Sequence, residues 1–185
     1  MYILLSIVVV LAVLVAAVLV AASRQPKELR VERSITTSAS AEDVYAIFSD
    51  LGRWREWSPY DKRDPNMKTE LSNPCTGVGA TYSWNGNKDV GAGRMTVTRV
   101  NPGRSMDMDL EFDRPFKCKN HVEWRVDETG GQRRITWCMD GKNDALMPRI
   151  FGLIMNMDKM VGTDFEVGLA TLKSIAEQSE TADVK

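Results

Sequence analysis

One stretch near the C-terminus constrains everything before it: Asp158 to Gln178, DKMVGTDFEVGLATLKSIAEQ. Val161, Phe165, Gly168, Leu169, Leu172, Ile175 and Ala176 recur at the three-and-four spacing of a buried helical stripe. Lys159, Glu166, Lys173 and Glu177 fall on the opposite, solvated side, and Asp158 is placed to cap the first turn. Upstream, after an apolar leader, almost the whole chain reads as short alternating strands. A long amphipathic helix that follows antiparallel strands must bury its stripe against a concave sheet, which leaves a compartment between the two. The fold class expected is therefore α+β. A curved antiparallel sheet of about seven strands wraps a long C-terminal helix, with two small helices after the first strand.

The leader, Ile3 to Ala22, carries no charge. As a helix it would extend roughly 30 Å, the thickness of a bilayer's hydrocarbon core. Val20-Ala21-Ala22 resembles a signal cleavage site, but no Lys or Arg precedes the run, and the run exceeds the usual signal length. Residues 1–22 are thus read as a transmembrane anchor and 23–28 as a juxtamembrane linker. Residues 29–178 form the folded domain, and 179–185 a polar tail. Arg24, Lys27, Arg30 and Arg33 follow the anchor, so the positive-inside rule predicts a single-pass protein with a cytoplasmic C-terminal domain. The six-residue linker spans at most about 20 Å, which holds the domain near the bilayer. Three scattered cysteines, Cys75, Cys118 and Cys138, make no disulfide framework and agree with a reducing compartment.

In the strands, Leu29, Val31 and Ile35 share a face, and Arg33 interrupts it as a bulge or a ligand contact. Ser40 opens a helix over Ala41 to Leu51, closed by Gly52, and a further turn carries Trp54 and Trp57 up to Ser58-Pro59. Alternation then places Met67, Thr69 and Leu71, next Ala80, Tyr82 and Trp84, and next Met95 and Val97 on inward positions. Met106, Met108, Leu110 and Phe112 face in while Asp107, Asp109 and Glu111 face out. Val122, Trp124 and Val126, then Ile135, Trp137 and Met139, complete the inner face. Ala145 to Met157 reads as a short helix or a loop.

The order of these elements resembles the polyketide cyclase/dehydrase-like branch of the START or SRPBCC superfamily, on particular strings. They are Trp54-Arg55-Glu56-Trp57-Ser58-Pro59-Tyr60, Gly77-Val78-Gly79-Ala80, Tyr82-Ser83-Trp84-Asn85-Gly86-Asn87, Gly91-Ala92-Gly93 and Asp158-Lys159-Met160-Val161-Gly162 with its continuation. The resemblance covers roughly Leu29 to Gln178. It implies a helix-grip fold around a cavity for a small apolar molecule, and it carries the fold further than any chemistry.

The net charge of −1, with no basic cluster among aromatics, argues against a nucleic-acid partner. His121, the single histidine, falls on the outer face, which disfavours His-dependent catalysis. Cys118 and His121 point to opposite faces, which disfavours zinc, and no cofactor is expected. The inward methionines Met67, Met95, Met106, Met108 and Met139 are an adaptable apolar lining, or else a filled core. Tyr82 and the indole donors of Trp84 and Trp124 could orient a ligand oxygen. Arg33 and Arg99 turn inward if no bulge intervenes. Trp54 and Trp57 flank the mouth or pack under the main helix. The expected ligand contacts are Trp54, Trp57, Tyr82, Trp84, Met95, Met106, Met108, Trp124, Trp137, Met160 and Phe165, with no catalytic residue. The function expected is a membrane-anchored binder of a hydrophobic or lipid-like molecule. Two alternatives stand beside it. One is a cyclase/dehydrase-like enzyme using Tyr82, Asp113 or Asp140; the other is an interaction module docking through Asp107, Asp109 and Glu111.

Overall fold

The computed structural model describes residues 2–142, 149–150, 152–153 and 156–183, with side chains to 179. Helix α1, Tyr2–Ser23, is apolar on every side. Its two serine hydroxyls bond back into the helix, Ser6 to the Tyr2 carbonyl (2.9 Å) and Ser23 to that of Val20 (2.8 Å), so neither is left unmet. Among the described residues it is the one helix long and apolar enough to cross a membrane.

Strand β1 (Glu28–Thr37) leads into α2 (Ala41–Ser49), where the Ser40 hydroxyl accepts the Asp43 amide at 3.0 Å as expected of a cap. The helix stops two residues short of Leu51, because the Asp50 carboxylate accepts the Gly52 amide (2.9 Å) and starts a 3-10 turn, Leu51–Arg53. Then come α3 (Trp54–Trp57) and α4 (Pro59–Arg63). Ser58-Pro59 ends one helix and begins the next: the Ser58 hydroxyl caps, and Pro59 sits at a first-turn position where its missing N–H costs nothing.

The remaining strands are β2 (Lys68–Leu71), β3 (Thr81–Asn85), β4 (Ala92–Asn101), β5 (Ser105–Arg114), β6 (Cys118–Thr129) and β7 (Gln132–Lys142), followed by α5 (Met157–Asp183). They form one seven-stranded antiparallel sheet in the order β1-β7-β6-β5-β4-β3-β2. This is the α+β arrangement that the hydrophobic pattern predicts and the helix-grip fold that the resemblance implies. The stretch expected to be a helix or loop, Ala145 to Met157, lies largely outside the described residues. Leu71, expected inward, is exposed at the sheet edge. The side chain that caps α5 is Asn156, which accepts the Lys159 amide at 2.9 Å; Asp158 has another partner.

That partner is Arg33. The register of β1 with β7 runs unbroken from Glu28↔Lys142 to Thr37↔Arg133, so there is no bulge, and Arg33 shares the inner face of β1 with Val31 and Ile35. Its guanidinium reaches across the start of α5 to Glu166 (2.8 Å), the Asp158 carboxylate (3.0 Å) and the Asp158 carbonyl (3.1 Å). Arg33 holds the Asp158 carboxyl below the usual carboxylate range. Gly162 lies directly under the guanidinium, and a Cβ there would overlap it. The residue that breaks the strand pattern is thus a latch between the first strand and the last helix.

On the outer face Asp107 is only 3% exposed. Arg99 donates to it at 2.8 and 3.1 Å, and the His121 Nε2 lies 3.1 Å away. Arg99 therefore turns outward, and its hydrogen bonds hold the Asp107 carboxyl low. Lys119 reaches Asp109 (2.9 Å) and Glu111 (3.3 Å). Side chains of the neighbouring strands β4 and β6 thus pair with the acidic strip.

Candidate functional site

The space between sheet and α5 is organised by rings. Phe48 from α2, Trp124 from β6, Trp137 from β7 and Phe165 from α5 form a run of near-parallel faces. Their successive centroid separations are 5.3, 4.4 and 3.8 Å, with interplanar angles of 15°, 24° and 9°. Trp57 from α3 stands edge-on to both Trp124 (5.2 Å) and Trp137 (5.7 Å). Trp54 continues the chain outward to Tyr82 (5.8 Å). Met106, Met108 and Met139 are buried on the sheet side of the same core. Such offset and edge contacts add to the burial of large apolar area.

The residues expected to line the site therefore separate into groups. Trp54, Trp57, Tyr82, Trp84, Met106, Met108, Trp124, Trp137 and Phe165 are buried in one cluster. Met95 is partly buried against it. Met160 is 39% exposed and lies outside it. The indole N–H of Trp84 is already donated to the Val90 carbonyl (3.0 Å) and that of Trp54 to the Phe48 carbonyl (2.8 Å), so the Trp84 donor expected to orient a ligand is taken. The indole nitrogens of Trp57, Trp124 and Trp137 are buried with no hydrogen-bond partner. Sequence reasoning selected the Trp124 donor but not the other two.

A polar rim, which periodicity did not reveal, borders the rings on α3 and α4. Asp61 meets Arg55 at 3.3 Å through one oxygen, while its other oxygen is buried and unpartnered. Burial pushes its carboxyl up. Burial also pushes the Tyr82 hydroxyl up, and the nearby Asp61 charge adds to this. Arg63 forms a short ion pair with Asp164 of α5, whose carboxyl burial nonetheless raises. Burial and the Asp164 charge raise Tyr60 in the same way. The signal for this rim was present: Ser58-Pro59-Tyr60-Asp61 has a cap, a first-turn proline and an acidic first turn.

The alternative acids sit elsewhere. Asp140 pairs with Arg30 on the outer face (2.8 Å), and Asp113 is exposed. No group of three His, Cys, Asp or Glu side chains suited to a metal occurs among the described residues. Burial pushes the Cys138 thiol up to about 12. Iodoacetamide at neutral pH should therefore leave Cys138 unmodified in the folded protein and label it only after denaturation, as peptide mass spectrometry would read. An open groove of about 480 Å³ lies apart from the rings, between the start of α2 and the β4–β5 and β6–β7 turns, where Arg104, Glu128 and Arg133 line it.

A concave antiparallel sheet gripping a terminal helix over an aromatic interior defines the helix-grip class. The chain belongs to the family described as polyketide cyclase / dehydrase and lipid transport, whose sequence model matches residues 28–177. A search of curated proteins gave no match. Solved structures share the fold at low identity. Protein CV1439 from Chromobacterium violaceum has 14% identity and a TM-score of 0.56, covering 83% of this chain and 99% of that one. Protein jhp0584 from Helicobacter pylori has 10% identity and a TM-score of 0.62, covering 80% and 88%. The di-domain ARO/CYC StfQ from the steffimycin biosynthetic pathway has 11% identity and a TM-score of 0.61, covering 83% of this chain and 52% of StfQ.

Proposed function

We propose that this protein is a membrane-anchored container that holds a hydrophobic or lipid-like small molecule between the sheet and α5, without covalent chemistry. The observation that carries the reading is the chemistry of the inner face. Its buried side chains, Thr37 apart, are aromatic and aliphatic, methionine included, while the buried acids lie on the α4 rim, on α5 facing it, or on the outer face. A family described by both cyclase/dehydrase and lipid-transport members supports the same ligand class. Helix α1 supports the anchor. Of the four cations expected to fix orientation, Arg30 and Arg33 are engaged in ion pairs on the domain, which leaves exposed Arg24 and Lys27 to hold the linker at the cytoplasmic surface. The first residues of β1 pair with the last of β7, so the linker enters at the end of the sheet from which the chain passes to α5.

The test uses the full chain in detergent micelles and a dansylated fatty acid as probe. Energy transfer from tryptophan to dansyl should saturate near one probe per chain and be reversed by unlabelled apolar competitors. Transfer that rises linearly, as in empty micelles, would overturn the container.

One observation favours a second reading, acid–base catalysis. The raised Asp61 carboxyl, with an unpartnered buried oxygen, lies beside Tyr82. Such a pair could move a proton at a carbon next to a ligand carbonyl. Deuterium uptake at that position of a long-chain methyl ketone, lost in Asp61→Asn and Tyr82→Phe, would support it; uptake no faster than in buffer would remove it.

A further inference from the structure

We infer that the end of the domain at which the linker enters is a basic platform that rests on anionic lipid headgroups of the bilayer holding α1. The inference rests on the proposed anchor and adds to it the face of the domain that meets lipid. The strand registers define that end. Glu28 pairs with Lys142, Gly141 with Asn120, Cys118 with Phe112, Arg114 with Ala92, and Asn85 with both Ala92 and Lys68. One edge of the seven-stranded sheet thus runs from the first residue of β1 to the first of β2. Its loops are tied into a single layer. Arg114 donates to the Asn85 side chain and to the Gly86 carbonyl (3.2 Å), and the Asn87 amide donates to Asp64, just after α4 (2.7 Å). The segment before α5 returns to the same place, since a Cβ at Gly152 would lie 3.8 Å from Oε1 of Gln25 in the linker.

Exposed cations stand along this edge: Lys62 on α4, then Lys68, Lys88, Arg114, Lys117 and Lys142. They come from distant positions, so no basic run announces them in a chain whose net charge is −1. None of them has a carboxylate within ion-pair distance among the described residues. On the outer face of the sheet, Arg30, Arg99, Lys119 and Arg125 each reach one. The exposed acids of the edge, Glu28, Asp89 and Asp113, are fewer than its cations. At the opposite end of the strands the balance reverses, and Glu42, Asp43, Asp127 and Glu128 outnumber Arg104, Arg133 and Arg134. Positive charge is therefore gathered where the linker is. The tether fixes the partner. Only residues 24–27 separate α1 from β1, at most about 14 Å of extended chain. Arg24 and Gln25 shorten it further by donating to the Ala21 and Ala22 carbonyls (3.2 Å each). The β1 side of the edge thus stays within about two Debye lengths of the headgroups at physiological salt. At that range an anionic leaflet attracts each lysine or arginine.

The test places the full chain in lipid nanodiscs that carry a gadolinium-chelate headgroup and reads the relaxation of backbone amide signals. With phosphatidylserine in the disc, the amides of Gly91, Cys118 and Gly141 should relax strongly, while those of Gly103 and Gly130 at the opposite end should not. In phosphatidylcholine alone, or at about 1 M salt, that contrast should shrink, because the attraction is absent or screened. Each of Lys88→Gln, Lys117→Gln and Lys142→Gln should lower the ratio of docked to undocked domain about fivefold. All three side chains are exposed, so the variants should melt with the parent. Equal relaxation at both ends, or a contrast indifferent to lipid charge and to the substitutions, would overturn the platform and leave the anchor standing. A chain that stays in solution and does not enter the discs would overturn both.

Discussion

Replacing Trp137 with alanine should cost the folded domain about 3–5 kcal/mol and lower its melting temperature by roughly 10 °C. Trp137 is buried, stacks on Phe165 at 3.8 Å and on Trp124 at 4.4 Å, and meets the edge of Trp57 at 5.7 Å. It therefore joins β7, β6, α3 and α5 at one point. Truncation removes the transfer energy of the largest side chain and leaves a void that these three neighbours cannot close without breaking their own contacts. Thermal unfolding followed by circular dichroism would measure the loss. A cost below about 1 kcal/mol would mean that the rings part easily and contribute little to stability. Trp137→Phe keeps much of the ring face and should fall well short of the alanine cost.

Gly93→Val should be strongly damaging to the sheet, with an expected loss of about 3 kcal/mol, at the upper end for overpacking. Gly93 pairs with Trp84 on β3 and with Phe112 on β5, where a register irregularity between Ala92 and Gly93 shifts the ladder. A Cβ there would overlap the Glu111 carbonyl and lie 2.6 Å from the Trp84 ring. The first obstacle is backbone and cannot rotate away. The second is an indole already fixed by its bond to Val90 and by its edge contact with Phe112 at 5.4 Å. Contrast Gly162, where the overlapping group is the tip of Arg33, a side chain able to swing out at the loss of its ion pairs. Chemical denaturation of Gly93→Val beside Gly162→Ala would separate the two; comparable losses would contradict the distinction drawn between backbone and side-chain obstacles.

Much of this architecture was readable from local pattern because burial repeats with the period of the element. The β5 alternation of Met106, Met108 and Leu110 and the α5 stripe through Leu169, Leu172 and Ala176 are such cases. What periodicity missed depends on partners distant in sequence. Asp107 occupies an outer position yet is covered, because Arg99 and His121 close over it from neighbouring strands. Arg33, expected to mark a bulge or a ligand contact, pairs instead with residues more than a hundred positions away. Which indole donors are free depends on where two carbonyls, those of Phe48 and Val90, come to lie, and composition holds no trace of that. Helix α4 was missed for a different reason. Its five residues are too few to show a period, so only the capping chemistry could announce it.

The Arg33 latch has a mechanical consequence. Strand β1 emerges from the linker that follows α1, pairs along its whole length with β7, and through Arg33 grips the helix that packs against the inner face of the sheet. A pull on the linker along the strand axis loads all ten β1–β7 residue pairs lengthwise and together, so the force is shared and the strand does not peel one bond at a time. Beyond the ladder, the next element to feel that load is the first part of α5, Asp158 to Glu166, through a guanidinium held by two carboxylates that solvent reaches. With α1 as the proposed anchor, tension on the linker would thus be delivered to the start of α5, leaving the stacked rings at rest.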